Sequence, residues 1–328
     1  MNFFEQNIDK DLVNIKVIGV GGAGNNAINR MIEEGIQNVE FIAMNTEEQA
    51  LRQCRTRNVM RIGKESTKGL GAGANPSLGE SAARENEEDI VNMLKGADMV
   101  FVTAGMGGGT GTGAAPVVCE IAKKMGILTV GIVTKPFAFE GKRRMDNAER
   151  GIQRIKNNVD ALIIVANNNL LKAVKKNITM TEAFREADSI LRKGVHGITD
   201  LITMRVFINI DFADVKTIMK NSGMAHMGIG KASGEQRTLE AATQAIESPL
   251  LETSIAGAKG LIVNITGGMD LGLSEINSAV TYIKEYIDQD ANIIFGTIID
   301  NNMEDEVSVT VIATGIEEEK AKKIEYII

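Results

Sequence analysis

The sequence predicts an α/β fold: a doubly wound, mostly parallel sheet, a long central helix, and a second, smaller mixed α/β domain. Three observations carry this reading. Short apolar runs alternate with amphipathic stretches from Ile15 to Ala166, the pattern of parallel strands joined by crossover helices. The 34 glycines, against 4 prolines, gather in a few loops between regular elements instead of spreading through linkers. One uninterrupted helical repeat then separates this half from a second set of strands.

In chain order the first-domain strands fall at IKVI, VEFIAM, VMRI, DMVFVT, ILTVGIV and ALIIVA. Between the first two, Asn25 to Glu34 sets Ala27, Ile28, Met31 and Ile32 on one helical face, with Gly35 as the stop. Ser77 and Glu80 have capping-box spacing and Gly96 closes that helix. Thr179 and Glu182 repeat the box before Phe184, Ala187, Leu191, Val195, Ile198 and Ile202, spaced by threes and fours. Beyond about Phe207 the order is strand, helix, strand, helix, strand, strand. The strands are VFINIDFA, GLIVNIT, NIIFGTII and EVSVTVIAT; Ser233 and Gln236 cap the helix TLEAATQAIES, and Ser274 starts another. The expected organisation is a nucleotide-type domain over 1–178, a connecting helix over 179–203, a second domain over 204–317 and a short tail over 318–328.

Composition narrows the function. The 328 residues carry 36 Lys+Arg against 43 Asp+Glu, a net charge of −7, which argues against holding nucleic acid or an anionic membrane by bulk charge. No apolar run approaches a membrane span, and the start MNFFEQNIDKDLVN has no basic region followed by an apolar core; a cytoplasmic protein with no direct membrane insertion is expected. Two cysteines, Cys54 and Cys119, make neither a disulfide framework nor a zinc cage.

The glycine loops carry the chemistry. VIGVGGAGNNA places Gly19, Gly21 and Gly24 in a GxGxxG between a strand and a helix, where bare backbone and a helix start favour a phosphate. That motif alone fits either a tight turn or NAD binding. The dinucleotide reading requires an acid at the tip of the second strand, yet VEFIAM runs into Asn45 and Thr46 before reaching Glu47. GLGAGANP and GMGGGTGTGAAP follow further strands, so several loops converge at the carboxyl ends of a parallel sheet. In the last of these, Thr110 and Thr112 alternate with glycines and Pro116 is expected in the helix's first turn, a nest for a di- or triphosphate. Neither GxxxxGK[ST] nor NKxD occurs, which excludes a P-loop GTPase.

GGGTGTGAAP, with VIGVGGAGNNA, GLGAGANP, VTKPFAFEGKRR and NIDFADV, resembles the bacterial cell-division FtsZ proteins of the tubulin superfamily. SPLLETSIAGAKG, NITGG and DEVSVTVIATG extend the resemblance into the second domain, so it spans nearly the whole chain. The resemblance implies that Gly21, Gly22, Ala23, Gly24, Asn25 and Asn26, with Gly105, Gly108, Gly109, Thr110 and Gly111, surround the phosphates and sugar of GTP or GDP. It implies Ala72 and Gly73 near the γ-phosphate, Glu140 and Arg144 at the ribose and phosphates, Thr134 and Pro136 along the pocket, and Asn167 in contact with the nucleotide. Phe184 and Asp188, four apart on one helical face, match a ring-and-edge contact with guanine; periodicity alone makes Phe184 core. From the residues alone, Lys142, Arg143 and Arg144 are an exposed charged run.

For hydrolysis the resemblance implies Mg²⁺ bound through the phosphates, and Asn209, Asp211 and Asp214 presented to the nucleotide of the next subunit in a head-to-tail homopolymer at the division site. Division-ring proteins would be further partners. On spacing alone Asp211 is equally a helix cap, and His196 and His226 have no catalytic partner in sequence. The chain departs from the family at Met204 to Phe207, where relatives carry a Pro/Gly turn, at Glu47 in an aspartate position, and at Asn168 and Asn169. It ends at EEEKAKKIEYII where relatives continue into a linker and partner-binding tail, so either it is trimmed or membrane partners are recruited otherwise. Two rival readings remain open: an NAD-dependent oxidoreductase, and a nucleotide-binding regulator of the same fold that does not polymerise.

Overall fold

The computed structural model describes residues 13–173, 178–203, 211–248 and 254–316. The elements in order are β1 (Ile15–Val20), α1 (Gly21–Glu33), β2 (Glu40–Asn45), α2 (Glu48–Arg52), β3 (Val59–Arg61), α3 (Lys64–Thr67), α4 (Pro76–Glu85), α5 (Glu87–Leu94), β4 (Met99–Gly105), α6 (Thr110–Lys124), β5 (Leu128–Lys135), α7 (Lys142–Lys156), β6 (Ala161–Ala166) and α8 (Asn167–Ala173). Then come α9 (Met180–Thr203), α10 (Phe212–Met219), β7 (Gly223–Ser233), α11 (Arg237–Ile246), β8 (Gly260–Gly267), α12 (Leu273–Lys284), β9 (Asn292–Ile299) and β10 (Glu306–Thr314). The sheet order is β3-β2-β1-β4-β5-β6-β7-β10-β8-β9. All pairs from β3 to β7 are parallel; β10 runs antiparallel to both its neighbours. The fold is the α/β class expected, a parallel-dominant first domain with a smaller mixed one attached.

Alternation along the strands feeds two cores. Ile15, Val17 and Phe101 face α1 and α9, whereas Ile18, Val20, Val100 and Val102 face α4 to α7. Both sets are buried, so these strands read as continuous apolar runs. A third core lies between α11, α12 and the second-domain strands. The expected box at Thr179 forms: its hydroxyl accepts from the Glu182 N–H at 3.3 Å, and the Glu182 carboxylate accepts from the Thr179 N–H at 2.8 Å.

Several local expectations are corrected. The strand β7, GMAHMGIGKAS, has no counterpart among the expected strands; Gly228 and Gly230 hide its pattern because α11 packs on them. A β-carbon at Gly230 would sit 1.9 Å from the Ala241 carbonyl oxygen, so these glycines admit a helix instead of marking a turn. Of VFINIDFA, residues 206–210 lie outside the described residues, and Phe212 opens α10 instead of ending a strand. The Ser77 box gives way to Asn75, whose side chain accepts from the Ser77 N–H at 3.1 Å, and the helix breaks at Asn86 into α4 and α5. Ser233 ends β7, leaving Gln236 as the N-cap without a side-chain bond, and α12 starts from Gly272 with Glu275 as its partner. Pro116 lies in the interior of α6, since the helix begins at Thr110. Met204 to Phe207 lie outside the described residues.

Candidate functional site

In a sheet ordered 3-2-1-4-5-6 the chain departs from β1 and β4 toward opposite faces, leaving a crevice beyond their carboxyl ends. A cavity of about 430 Å³ opens there. Gly21, Gly22 and Ala23 reach it from α1, Ala72 and Gly73 from the loop before α4, and Gly105, Gly108, Gly109, Thr110 and Gly111 from the loop opening α6. Thr134 and Pro136 follow β5; Glu140 and Arg144, Asn167, and then Phe184 and Asp188 on α9 complete the wall.

Close backbone approach is built into this crevice. Gly21 has φ +75°, and a β-carbon on it would lie 2.9 Å from the Gly111 nitrogen; one on Gly109 would lie 2.7 Å from the Ala72 β-carbon. The three glycine loops therefore touch through bare backbone. α1 and α6 both aim their amino-terminal ends at the cavity, and neither N-cap, Val20 or Gly109, caps with its side chain. Their first N–H groups are left for an anion, with the helix dipoles adding positive potential. Thr112 Oγ1 accepts from the Gly107 N–H at 2.8 Å, fixing the turn, and Thr110 Oγ1 lies 2.6 Å from Thr46 Oγ1.

The far end suits a base. Phe184 is 37% exposed at the cavity wall, so it is not simply core, and its ring meets Phe137 edge-on at 5.3 Å. Asn167 is buried, yet its Oδ1 has no hydrogen-bond partner among the described residues, an acceptor left open beside the cavity. Burial pushes the Asp188 carboxyl up to about 6, against the pull of Arg30, whose Nε lies 3.3 Å away. Glu140 accepts from the Phe137 N–H at 2.9 Å and pairs with Arg144 at 3.1 Å, a short arm ordered at the rim.

Three of the expected contacts lie elsewhere. Gly24 is packed under β4, where a β-carbon would lie 2.5 Å from the Thr103 carbonyl oxygen. Asn25 is buried, donating to the Gly19 carbonyl at 2.8 Å and accepting from Asn45 at 2.7 Å, so it braces the loop from behind. Asn26 lines an adjoining cavity with Arg30 and Asp188. Residues not assigned to the site from sequence also reach the main cavity, among them Asn45, Glu47, Leu70, Met106 and Ala187. Asn45 and Glu47 belong to the run that closes β2, and Leu70 and Met106 to the second and third glycine loops; Glu47 bridges to Leu70 and so ties the run after β2 to the second loop.

Asp211 and Asp214 are exposed and do not line the cavity. Asp211 holds the N-cap position of α10 without a side-chain bond, so capping does not occupy its carboxylate. α10 ends against the amino-terminal ends of β6 and β8: the Ile218 carbonyl accepts from Thr314, Ile218 abuts Gly260, and the Gly223 N–H donates to the Asp160 carbonyl. The carboxyl end of α10 thus lies at the end of the sheet opposite the cavity. Asn209 lies outside the described residues. His196 pairs with Asp200 at 2.6 Å, away from the cavity lining.

Residues 14–175 match the model of the Tubulin/FtsZ family, GTPase domain, and residues 223–317 that of the FtsZ family, C-terminal domain. Among solved structures the chain is similar to an empty FtsZ dimer of M. jannaschii, with 46% identity, 93% of this chain and 89% of that one covered, and a TM-score of 0.89. It shares its fold with a GTPγS-bound protofilament of CetZ2 from Haloferax volcanii, at 20% identity over 96% and 99% of the chains and TM-score 0.75. The GDP-bound CetZ1 monomer from the same organism gives 20%, 96%, 98% and 0.79.

Proposed function

The chain belongs to the tubulin/FtsZ family, and from that premise we propose that it binds GTP in the glycine-lined cavity and hydrolyses it at a site completed by the next copy in a head-to-tail filament. The observation that carries this is the pair of uncapped helix ends, α1 and α6, facing one cavity whose other end offers an exposed ring, an open acceptor and a carboxylate.

The backbone N–H groups of Gly21 to Ala23 and of Gly108 to Gly111 hold the phosphate oxygens, and Ala72 and Gly73 border the γ-phosphate. Phe184 stacks on guanine, the ionised Asp188 accepts from its N–H edge, and Asn167 Oδ1 takes a further donor. Glu140 and Arg144 hold the ribose. Magnesium would be held through the bound phosphates and would supply charge neutralisation; the N–H groups and hydroxyls of the phosphate loops suit the phosphates themselves, and Glu47 is the carboxylate beside the second loop.

Hydrolysis forms a bond from a water oxygen to the γ-phosphorus and breaks the β–γ bridge, releasing GDP and phosphate. Of the carboxylates lining the cavity, Glu140 is engaged by Arg144 and the Phe137 N–H and Asp188 lies at the base end beside Arg30, while Glu47 stands beside the second glycine loop. To Asp211 and Asp214, exposed on α10 and outside the cavity lining, together with Asn209, we assign the role of orienting that water in the neighbouring copy. Such a contact is heterologous and repeats without closing. We assign this polymer to the cytoplasmic division ring on the strength of the family, with the domain ranges 1–178, 179–203, 204–317 and 318–328 as its organisation.

Asn45, which ends β2 and is buried against Asn25, leaves no acid at the strand tip for an NAD ribose. Titration calorimetry with GTP, GDP, ATP and NAD tests the assignment. The expected result is tight binding of both guanine nucleotides alone; NAD binding in their place overturns it.

A further inference from the structure

Beside the nucleotide cavity lies a second one of about 370 Å³, and Ala74 lines both. Its wall on α7 is a single helical stripe, Arg143, Asn147, Arg150 and Arg154, and its opposite wall is the start of α4 with Thr112 of α6. No carboxylate lines it. Arg154 is neutralised by Glu80, but Arg143 has no ion pair or hydrogen bond among the described residues, and Arg150 engages only the amide oxygen of Asn147, at 2.6 Å. Asn147 is itself 5% exposed, and its Nδ2 donates to nothing among the described residues. In a chain of net charge −7 this concentrates in one concavity two guanidiniums with no carboxylate partner among the described residues and the open amide donor of a largely buried asparagine.

The two cavities adjoin at Ala74, and beside it α7 packs closely on the loop that opens α6. A β-carbon on Gly107 would lie 2.6 Å from the Arg144 carbonyl oxygen, and one on Gly151 would lie 2.5 Å from Thr112 Cγ2, so α7 is pressed onto the turn that opens α6. Adjacent residues of α7 therefore serve different cavities, Arg144 the first and Arg143 the second.

We propose that the second cavity is an oxyanion site that receives inorganic phosphate as it leaves the nucleotide cavity, held by the Arg143 and Arg150 guanidiniums and the Asn147 amide. Forked guanidinium donors suit a tetrahedral oxyanion, and a dianion gains more from them than a monoanion does. The loop carrying Ala72 to Ala74 is the partition the phosphate passes. This rests on the GTPase reading for the source of the phosphate, but not for the site itself.

The test therefore has two arms. In the first, ³¹P NMR follows inorganic phosphate binding to the GDP-loaded protein and to the nucleotide-free protein. Binding weakened at least fivefold by Arg143→Ala combined with Arg150→Ala, with GDP affinity unchanged, is expected; equal binding by the wild type and the double variant, or none by the wild type, overturns the site. In the second, single-turnover hydrolysis compares phosphate formed, by chemical quench, with phosphate free in solution, by a fluorescent phosphate sensor. Free phosphate is expected to lag behind cleavage in the wild type and to lose the lag in the double variant. Binding from bulk phosphate without such a lag marks the cavity as a site for free anion only and overturns its role in release. Asn147→Ala checks the assignment by the same two readouts, and unfolding curves for all variants keep a folding defect distinct. If GTP neither binds nor is cleaved, the first arm still decides the site while the GTPase reading fails separately.

Discussion

Arg30 on α1 places its Nε 3.3 Å from Asp188 Oδ2 on α9, joining the phosphate-loop helix to the helix that carries the base contacts. Burial outweighs the guanidinium, and the carboxyl stays raised to about 6 from 3.8. The free protein thus holds a carboxylate at neutral pH that its surroundings disfavour, until a partner with N–H donors arrives.

That conflict has a pH signature. A raised carboxyl binds its proton more tightly in the folded state, so its contribution to stability is full below about pH 4 and is lost as pH rises through about 6, by at most about 3 kcal/mol. Asp188→Asn should therefore raise the unfolding midpoint of the nucleotide-free protein at pH 7.5 and leave it unchanged at pH 4. GTP affinity should fall in the wild type from pH 7.5 to 5.5, as the acceptor protonates, and be weak and flat in the variant. A variant no more stable at pH 7.5 removes burial as the cause.

Gly21→Ala meets two obstacles, φ +75° and the Gly111 nitrogen 2.9 Å from the new β-carbon. Since the loops meet there, GTP affinity should drop at least tenfold, about 1.4 kcal/mol, with the circular dichroism spectrum retained. Undiminished affinity would show that these loops are not the phosphate contact.

Asn167 buries an acceptor with no partner among the described residues, a cost when the cavity is empty. Asn167→Leu is expected to leave the nucleotide-free protein as stable or up to about 1 kcal/mol more so, while weakening GTP binding several-fold. Thermal melts with and without GTP separate these effects, and a variant destabilised in both denies the ligand role.

Asp211→Ala should bind GTP normally and hydrolyse it at least a hundredfold more slowly. Mixed with Gly21→Ala, which retains Asp211 but binds GTP poorly, it should regain turnover, because each supplies what the other lacks across one contact. A mixture no faster than its components contradicts sharing.

What the sequence disclosed follows the range of the interactions. The glycine loops were legible because the features that bind phosphate, bare backbone before a helix, are local to Gly21 and to Gly108–Gly111. Asn25 shares that motif but turns inward, because its amide satisfies Gly19 and Asn45, and only the register of β1 on β2 decides this. β7 escaped notice because Gly228 and Gly230 answer to α11, more than ten residues away. The place of Asp211 outside the cavity lining follows from where α9 and α10 leave the chain on the sheet, which no motif encodes. The cavity beside α7 was half visible: Arg143 read as an exposed charge, whereas its stripe with Asn147 and Arg150 gains meaning only against α4.

The central claim is that one copy binds the nucleotide and the next completes the chemistry. GTP hydrolysis per molecule, measured against protein concentration with magnesium and potassium while light scattering is followed in the same sample, tests it most directly. Turnover per molecule that rises steeply above a threshold, together with scattering, is the predicted result. Turnover per molecule independent of concentration would place the whole apparatus in a single chain and contradict it, and tight GTP binding without turnover at any concentration would identify a nucleotide-binding regulator instead.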